Sequence, residues 1–199
     1  MPTSVKITKD MILDKAFDIA RKQGLDSISN RQLAKELNCS IRPIYYQFKN
    51  VDELYKELYI KIEKYFYHFL LDHMDNKIPP YKQVGINYIK FAKEEKNLFK
   101  ILFMSETNLL PEEFVAKDNE DFEELAKLIK ISTQLNDEDI KSFHVKMWIF
   151  SHGIATLVAS DTVQLSEQQI QQLLSYQFQA LMLLKENPNN KWILKNINE

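Results

Sequence analysis

The sequence predicts an all-α protein of about nine helices, with a small three-helix head at the amino end and a larger helical body behind it. Three observations carry this. Apolar residues recur at helical spacing through nearly every segment. Glycine numbers three and proline six in 199 residues, too few for the tight turns of a many-stranded sheet. Ser-x-x-Gln pairs stand at two predicted helix starts, where a side-chain oxygen can hold an otherwise unpaired N–H. With 45% hydrophobic residues the chain can bury a core in one or two domains.

The first helix is "TKDMILDKAFDIARKQG". Met11, Ile12, Ala16, Phe17, Ile19 and Ala20 fall near helical spacing, Thr8 can cap its start, and Gly24 is placed to end it in a left-handed turn. "SNRQLAKEL" is a shorter second helix, with Ser29 and Gln32 as a capping box and Leu33, Ala34 and Leu37 as its apolar stripe. After Asn38-Cys39-Ser40 a third helix runs from Ile41 to Phe48, with Ser40 as its predicted N-cap and Pro43 in the first turn, where a missing N–H removes no bond. Asn50 and Glu53 form a looser capping pair for a long aromatic helix from Val51 to about Asn76.

Pro79-Pro80 opens a fifth helix, and a break near Asn97 separates it from a sixth, "NLFKILFMSE". "TNLLPEEF" is the least regular connection. "DNEDFEELAKLIKISTQL" and the apolar "NDEDIKSFHVKMWIFSHGIATLVAS" follow as helices, and a second capping box, Ser166 and Gln169, opens "EQQIQQLLSYQFQALMLLKEN". Trp192 and Ile193, in the tail, are candidates to pack back. The expected domains are 1–50 and 51–199, with helix four, about 51–76, as a connector without a flexible linker.

Charge divides along the chain. Residues 1–50 hold nine Lys/Arg against five Asp/Glu, a balance of +4, and the remainder holds seventeen against twenty-three, a balance of −6, which together give the net −2. A basic head on an acidic body points to a polyanionic partner for the head. The single cysteine, Cys39, excludes an internal disulfide and fits a reducing compartment. No apolar run approaches the roughly 20 residues that cross a bilayer, and the first residues lack the apolar core of a signal peptide, so the expected location is cytoplasmic.

Two helices of about eight residues joined by "NCS" have helix-turn-helix proportions. Asparagine tolerates the left-handed conformation such a turn needs, which gives Asn38 a role. On the third helix Ile44 and Phe48 share a face directed at Leu33, Ala34 and Leu37, and Arg42, Tyr45 and Tyr46 fall outside that stripe. An arginine, two phenols and the Gln47 amide provide hydrogen-bonding groups for phosphates and base edges. Ser29, Asn30 and Arg31 open the second helix, whose N-terminal N–H groups favour a phosphate, and Lys49 adds a charge after the third. Singly, a Tyr-Tyr pair is usually packing and each arginine an ordinary surface charge. Together with the capping box, turn and basic head they favour DNA.

The stretch "GLDSISNRQLAKELNCSIRPIYYQFKNVDELYKEL" resembles the DNA-binding domain of TetR/AcrR-type transcriptional regulators. Ala34, Ser40, Tyr45, Tyr46, Phe48 and Leu54 carry the resemblance, which covers about the first third of the chain. Trp148, His152 and Gly153 in "MWIFSHGIATLVAS" resemble, less fully, the Trp…His-Gly segment of some C-terminal domains in that family. The resemblance implies a homodimer on a palindromic operator, most often a repressor, released by a small-molecule ligand held in each body. By that analogy Ser40, Ile41, Arg42, Pro43, Tyr45, Tyr46 and Gln47 read bases or touch phosphates, and Asn30 and Lys49 help clamp the backbone. Two positions depart from the family pattern. Asn38 stands at a turn position usually held by glycine, and Val51 stands where many relatives carry a phosphate-contacting lysine; Arg42, at a position where small residues are common, is a candidate to compensate.

The body offers candidate pocket residues Tyr88, Phe103, Met147 and Phe150, chosen from many aromatics that are mostly core. Its last two long helices carry wide apolar surfaces, and the resemblance favours their use in a two-fold four-helix dimer contact over purely internal burial. His68 and His73, five apart, and His144 and His152, eight apart, lack the accompanying cysteines and carboxylates of a metal site, so structural or ligand-lining roles are expected and neither metal nor cofactor. No glycine-rich phosphate loop or Gly-x-Ser-x-Gly occurs, which disfavours an enzyme. Two other function classes remain open on the residues alone: a helical small-molecule binder whose head serves protein contacts, and an all-α enzyme using a pocket histidine such as His152.

Overall fold

The computed structural model describes residues 6–72, 74, 75, 77–104 and 120–186, with the backbone alone at 120, 121 and 186. Among these residues there are nine α-helices, one 3-10 turn and no strand. The helices are α1 Lys9–Gln23, α2 Asn30–Glu36, α3 Arg42–Gln47, α4 Val51–Asp72, α5 Pro80–Glu94, α6 Lys96–Phe103, α7 Glu120–Thr133, α8 Asp137–Ala159 and α9 Glu167–Glu186. The all-α expectation holds. The irregular "TNLLPEEF" connection, Trp192, Ile193, His73 and the expected end of helix four at Asn76 lie outside the described residues.

Local chemistry sets most boundaries. Thr8 Oγ1 accepts from the Met11 N–H at 3.3 Å, and Ser29 Oγ from the Gln32 N–H at 3.2 Å. The Gln32 amide turns to Glu36 Oε1 at 3.3 Å. At α9 the box is reciprocal: Ser166 N–H donates to Gln169 Oε1 and Gln169 N–H to Ser166 Oγ, at 2.9 and 3.2 Å. Gly24 ends α1 at φ 86°, ψ 171°, a positive-φ region that only glycine enters readily, although not the left-handed helical region expected. Asn38 does take the left-handed conformation, at φ 49°. Pro80 is the first residue of α5.

Two boundaries differ from expectation. Ser40 does not cap α3. Ile41 occupies that position with helical dihedrals, φ −67° and ψ −23°, and its carbonyl accepts from the Ile44 and Tyr45 N–H groups. That leaves Ser40 one residue too early for its hydroxyl to reach the first turn. The break after α5 falls at Glu95 rather than near Asn97.

The described residues within 1–68 and 94–106 form one compact unit, and those within 69–93 and 107–199 the other; α4 carries residues of both. In the first unit Ile12, Ala16, Ile19, Leu33, Ile44, Phe48, Leu54, Leu58 and Phe99 are buried. Each large apolar side chain so buried contributes about 1.5–3 kcal/mol. Ion pairs join α1 to α4 through Lys9–Glu57 and Lys61–Asp14. Arg21 grips the buried carboxylate of Glu95, with Nε donating at 2.7 Å and Nη2 also bonded, and Tyr65 Oη donates to the same carboxylate at 3.0 Å. Asn97 Nδ2 donates to the Arg21 carbonyl at 3.0 Å, so α6 is tied to the end of α1.

In the second unit α5 is buried on nearly every side. Gly85 lets Leu174 of α9 approach: a Cβ there would meet Leu174 Cδ1 at 3.2 Å. Phe143 of α8 meets Phe178 of α9 edge-to-face at 5.4 Å, and Lys185 pairs with Asp139 at 3.5 Å. No described helix is long and apolar enough to cross a membrane.

Candidate nucleic-acid interface

Helix α3 is six residues long, and its side chains divide by spacing. Ile44 and the following Phe48 are buried, at 1% and 3% exposure. Arg42, Tyr45 and Tyr46 are exposed, the last two three and four positions from the first, so they share one outward stripe; Lys49, beyond the helix end, is exposed as well. Tyr45 is 60% and Tyr46 86% exposed, unusual values for large rings in a cored unit. The apolar face holds α3 against α1 and α2, and the opposite face is left for contact.

The remaining predicted residues are distributed around this stripe. Ser29 and Arg31 are exposed and Asn30 half-buried at the start of α2; Ser40 is exposed before α3, with Ile41 and Pro43 half-buried. Gln47 is half-buried, and its Nε2 donates to the Ile7 carbonyl at 3.3 Å, tying the segment before α1 to α3. Lys49 N–H donates to Glu53 Oε2 and Glu53 N–H to Asn50 Oδ1, both at 2.8 Å, which closes the entry to α4. Lys9 Nζ lies 5.2 Å from the Phe48 ring centroid, bracing the same corner. The Gln47 and Lys9 contacts could not be read from spacing, because they join residues about forty apart. Cys39, in the turn, is a half-buried free thiol whose N–H donates to the Ala34 carbonyl at 2.9 Å.

The four candidate pocket residues do not share a unit. Phe103 belongs to the first, where it packs on Phe66 and Phe99 at 5.1 Å from each. Tyr88, Met147 and Phe150 belong to the second; Tyr88 and Met147 are buried and Phe150 half-buried.

Two histidines of α8 bond to two tyrosines of α5. Tyr81 Oη lies 3.0 Å from His144 Nδ1, and Tyr88 Oη 2.9 Å from His152 Nδ1. Trp148 stacks on His152 with centroids 5.0 Å apart. Burial pushes the His144 ring down to about 4 and lowers His152 as well. It raises both phenols, against a lowering hydrogen bond from Trp148 at Tyr88. Each pair is therefore a neutral phenol on a neutral imidazole near pH 7. Among the described residues no group of three or more His, Cys, Asp or Glu is placed to hold a metal ion.

Parts of the chain are similar to known proteins. Residues 12–58 match the sequence model of the family described as bacterial regulatory proteins, tetR family. The biofilm operon icaADBC HTH-type negative transcriptional regulator IcaR of Staphylococcus epidermidis is 32% identical over 69 residues, 34% of this chain and 37% of that protein. The match thus spans little more than a third of that relative's length. Among solved structures, a TetR-family protein from Vibrio parahaemolyticus aligns at TM-score 0.61 and 18% identity, over 86% of this chain and 96% of its own. A TetR-like transcriptional regulator from Rhodococcus sp. RHA1 aligns at 0.59 and 17%, over 91% and 98%. A TetR-family transcriptional regulator from Haemophilus influenzae aligns at 0.58 and 20%, over 86% and 94%. At such identities the structures speak for the fold.

Proposed function

Taking the chain as a TetR-type transcriptional regulator, as its amino-terminal third and its fold support, we propose that it is a ligand-released repressor on a palindromic operator. Residues 1–50 form the DNA-binding domain and 51–199 the ligand-binding and dimerisation domain. The observation that carries this is the exposed stripe Arg42, Tyr45 and Tyr46 on a short helix that follows a left-handed Asn38 turn, with exposed Lys49 just beyond it. Ser29, Asn30 and Arg31 meet phosphate at the start of α2, and Ser40, Ile41, Pro43 and Gln47 flank the reading face. The chain acts in the cytoplasm and performs no catalysis.

A homodimer places two heads on one duplex face, with half-sites about 34–36 Å apart. The dimer contact is α8 with α9. On α8, Ile149 and Leu157 are 46% and 43% exposed, with exposed Gly153 between them; on α9, Tyr176 and Leu183 are 66% and 67% exposed at a spacing of seven. These outward apolar side chains favour the dimer over burial within one chain. A ligand in the body, with Tyr88, Met147 and Phe150 of the second unit as candidate contacts, shifts the base of α4 and takes the heads out of register. A differential affinity of a few kcal/mol suffices.

The test is a gel shift on the DNA upstream of the protein's own gene at two salt concentrations. Retardation that weakens steeply with salt is expected, since phosphate contacts release counterions. A salt-insensitive response counts against DNA as the partner. Ligand and operator bound together, with no effect on each other's affinity, would refute the release mechanism.

A further inference from the structure

We infer that Arg42 reads a guanine in the major groove of each half-site, and so fixes one base pair of the operator. This rests on the reading of α3 as the DNA-facing helix.

Arg42 is the first residue of α3, and Lys49 lies beyond the helix's other end. In a helix-turn-helix the amino-terminal residues of the second helix meet base edges. Position along the chain thus separates the two cations: Arg42 faces bases, and Lys49 is left for the backbone. Pro43 follows at once, and its locked φ stiffens the turn that presents the guanidinium.

The guanidinium is also uncommitted. Lys9, Arg21 and Lys61 of the same unit are each held by a carboxylate, Glu57, Glu95 and Asp14 respectively. Among the described residues no side-chain hydrogen bond or ion pair holds the Arg42 guanidinium, and its side chain is exposed.

The chemistry of the face selects the base. Arginine offers parallel donors that match the guanine N7 and O6 acceptors; glutamine or asparagine matches adenine; an acidic side chain accepts from cytosine. The amide of α3, Gln47, is half-buried and outside the exposed stripe, with its Nε2 bonded to the Ile7 carbonyl. The exposed stripe carries no carboxylate. What remains on it for a bidentate base contact is Arg42, with Tyr45 and Tyr46 beside it for phosphate oxygens or thymine methyl groups.

Full-length wild type, Arg42→Ala and Lys49→Ala are each used to select duplexes from a random pool, and circular dichroism checks that the variants stay folded. Wild type should enrich inverted half-sites sharing a guanine. Arg42→Ala should lose the preference at that position alone and bind the wild-type consensus roughly 5- to 150-fold more weakly. Lys49→Ala should keep the motif, weaken all sequences evenly and lower the salt slope by about one. Replacing the guanine with 7-deazaguanine, which lacks the N7 acceptor, should weaken wild type and leave Arg42→Ala unchanged. An unchanged motif with Arg42→Ala, a motif without a shared guanine, or equal loss on 7-deazaguanine in both proteins overturns the Arg42 assignment while leaving DNA binding intact. Failure of wild type to enrich any duplex overturns the DNA-binding reading itself.

Discussion

Tyr45 and Tyr46 on α3 are 60% and 86% exposed, whereas Tyr81 and Tyr88 on α5 are 6% and 5% exposed and bonded to histidines. The same side chain therefore does different work in the two units. A short helix needs only Ile44 and Phe48 to hold its place, so its other rings stay outside. The fifteen-residue α5 is surrounded, so each of its phenols must find a partner or lose its hydration without return. Exposed phenols are capacity for an external contact; buried ones are part of the frame.

The sharpest way to break this contrast is to truncate one tyrosine from each pair. Tyr81→Ala should cost about 3–5 kcal/mol in urea unfolding, the usual loss for a large buried ring. Tyr46→Ala should stay within about 0.5 kcal/mol, as surface changes do. Equal costs would erase the distinction.

A second difference is in pH. The His144 ring, held down to about 4 by burial, stays unprotonated in the fold over a range where the unfolded chain, near 6.5, takes up a proton. The unfolded state thus binds more protons between those values. Stability should fall as pH drops from about 6.5 to about 4, by at most about 3 kcal/mol. His144→Gln should flatten that part of the profile, measured by thermal unfolding across the range. A slope of opposite sign would mean that the ring is stabilised charged.

The first unit has its own buried polar centre, in Arg21, Glu95 and Tyr65. Glu95→Gln keeps the shape but removes the charge that Arg21 grips, and should cost about 1–3 kcal/mol by denaturant titration. Tyr88→Phe, which leaves His152 Nδ1 without its phenol, should cost about 1 kcal/mol. Ser29→Ala, which removes the cap of α2, has an expected loss of about 0.5–2 kcal/mol.

What could be read in advance follows the range of the interaction. Thr8, Ser29, Ser166 and the Asn38 turn act over three or four residues, and each is found where the sequence places it. The outward stripe of α3 was legible for the same reason, since helical spacing sorts Ile44 and Phe48 from Arg42, Tyr45 and Tyr46. Ser40 failed as a cap because Ile41 itself turns helical ahead of Pro43, a shift of one residue that no propensity registers. The long-range contacts were hidden. Tyr81 and His144 are 63 positions apart, Tyr88 and His152 64, and Arg21 and Glu95 74. The eight-residue spacing of His144 and His152 on α8 was legible, but not the tyrosines bonded to them. The break at Glu95 belongs with these, because its carboxylate is anchored by residues of α1 and α4.

The most direct test of the α3 face is fluorescence anisotropy on a labelled duplex selected by the wild-type protein, titrated with wild type, Arg42→Ala and Tyr46→Ala. Both variants should keep the helix content and sedimentation of wild type while binding the duplex roughly 5-fold or more weakly. Wild-type affinity in both folded variants would contradict the assignment of this face to DNA.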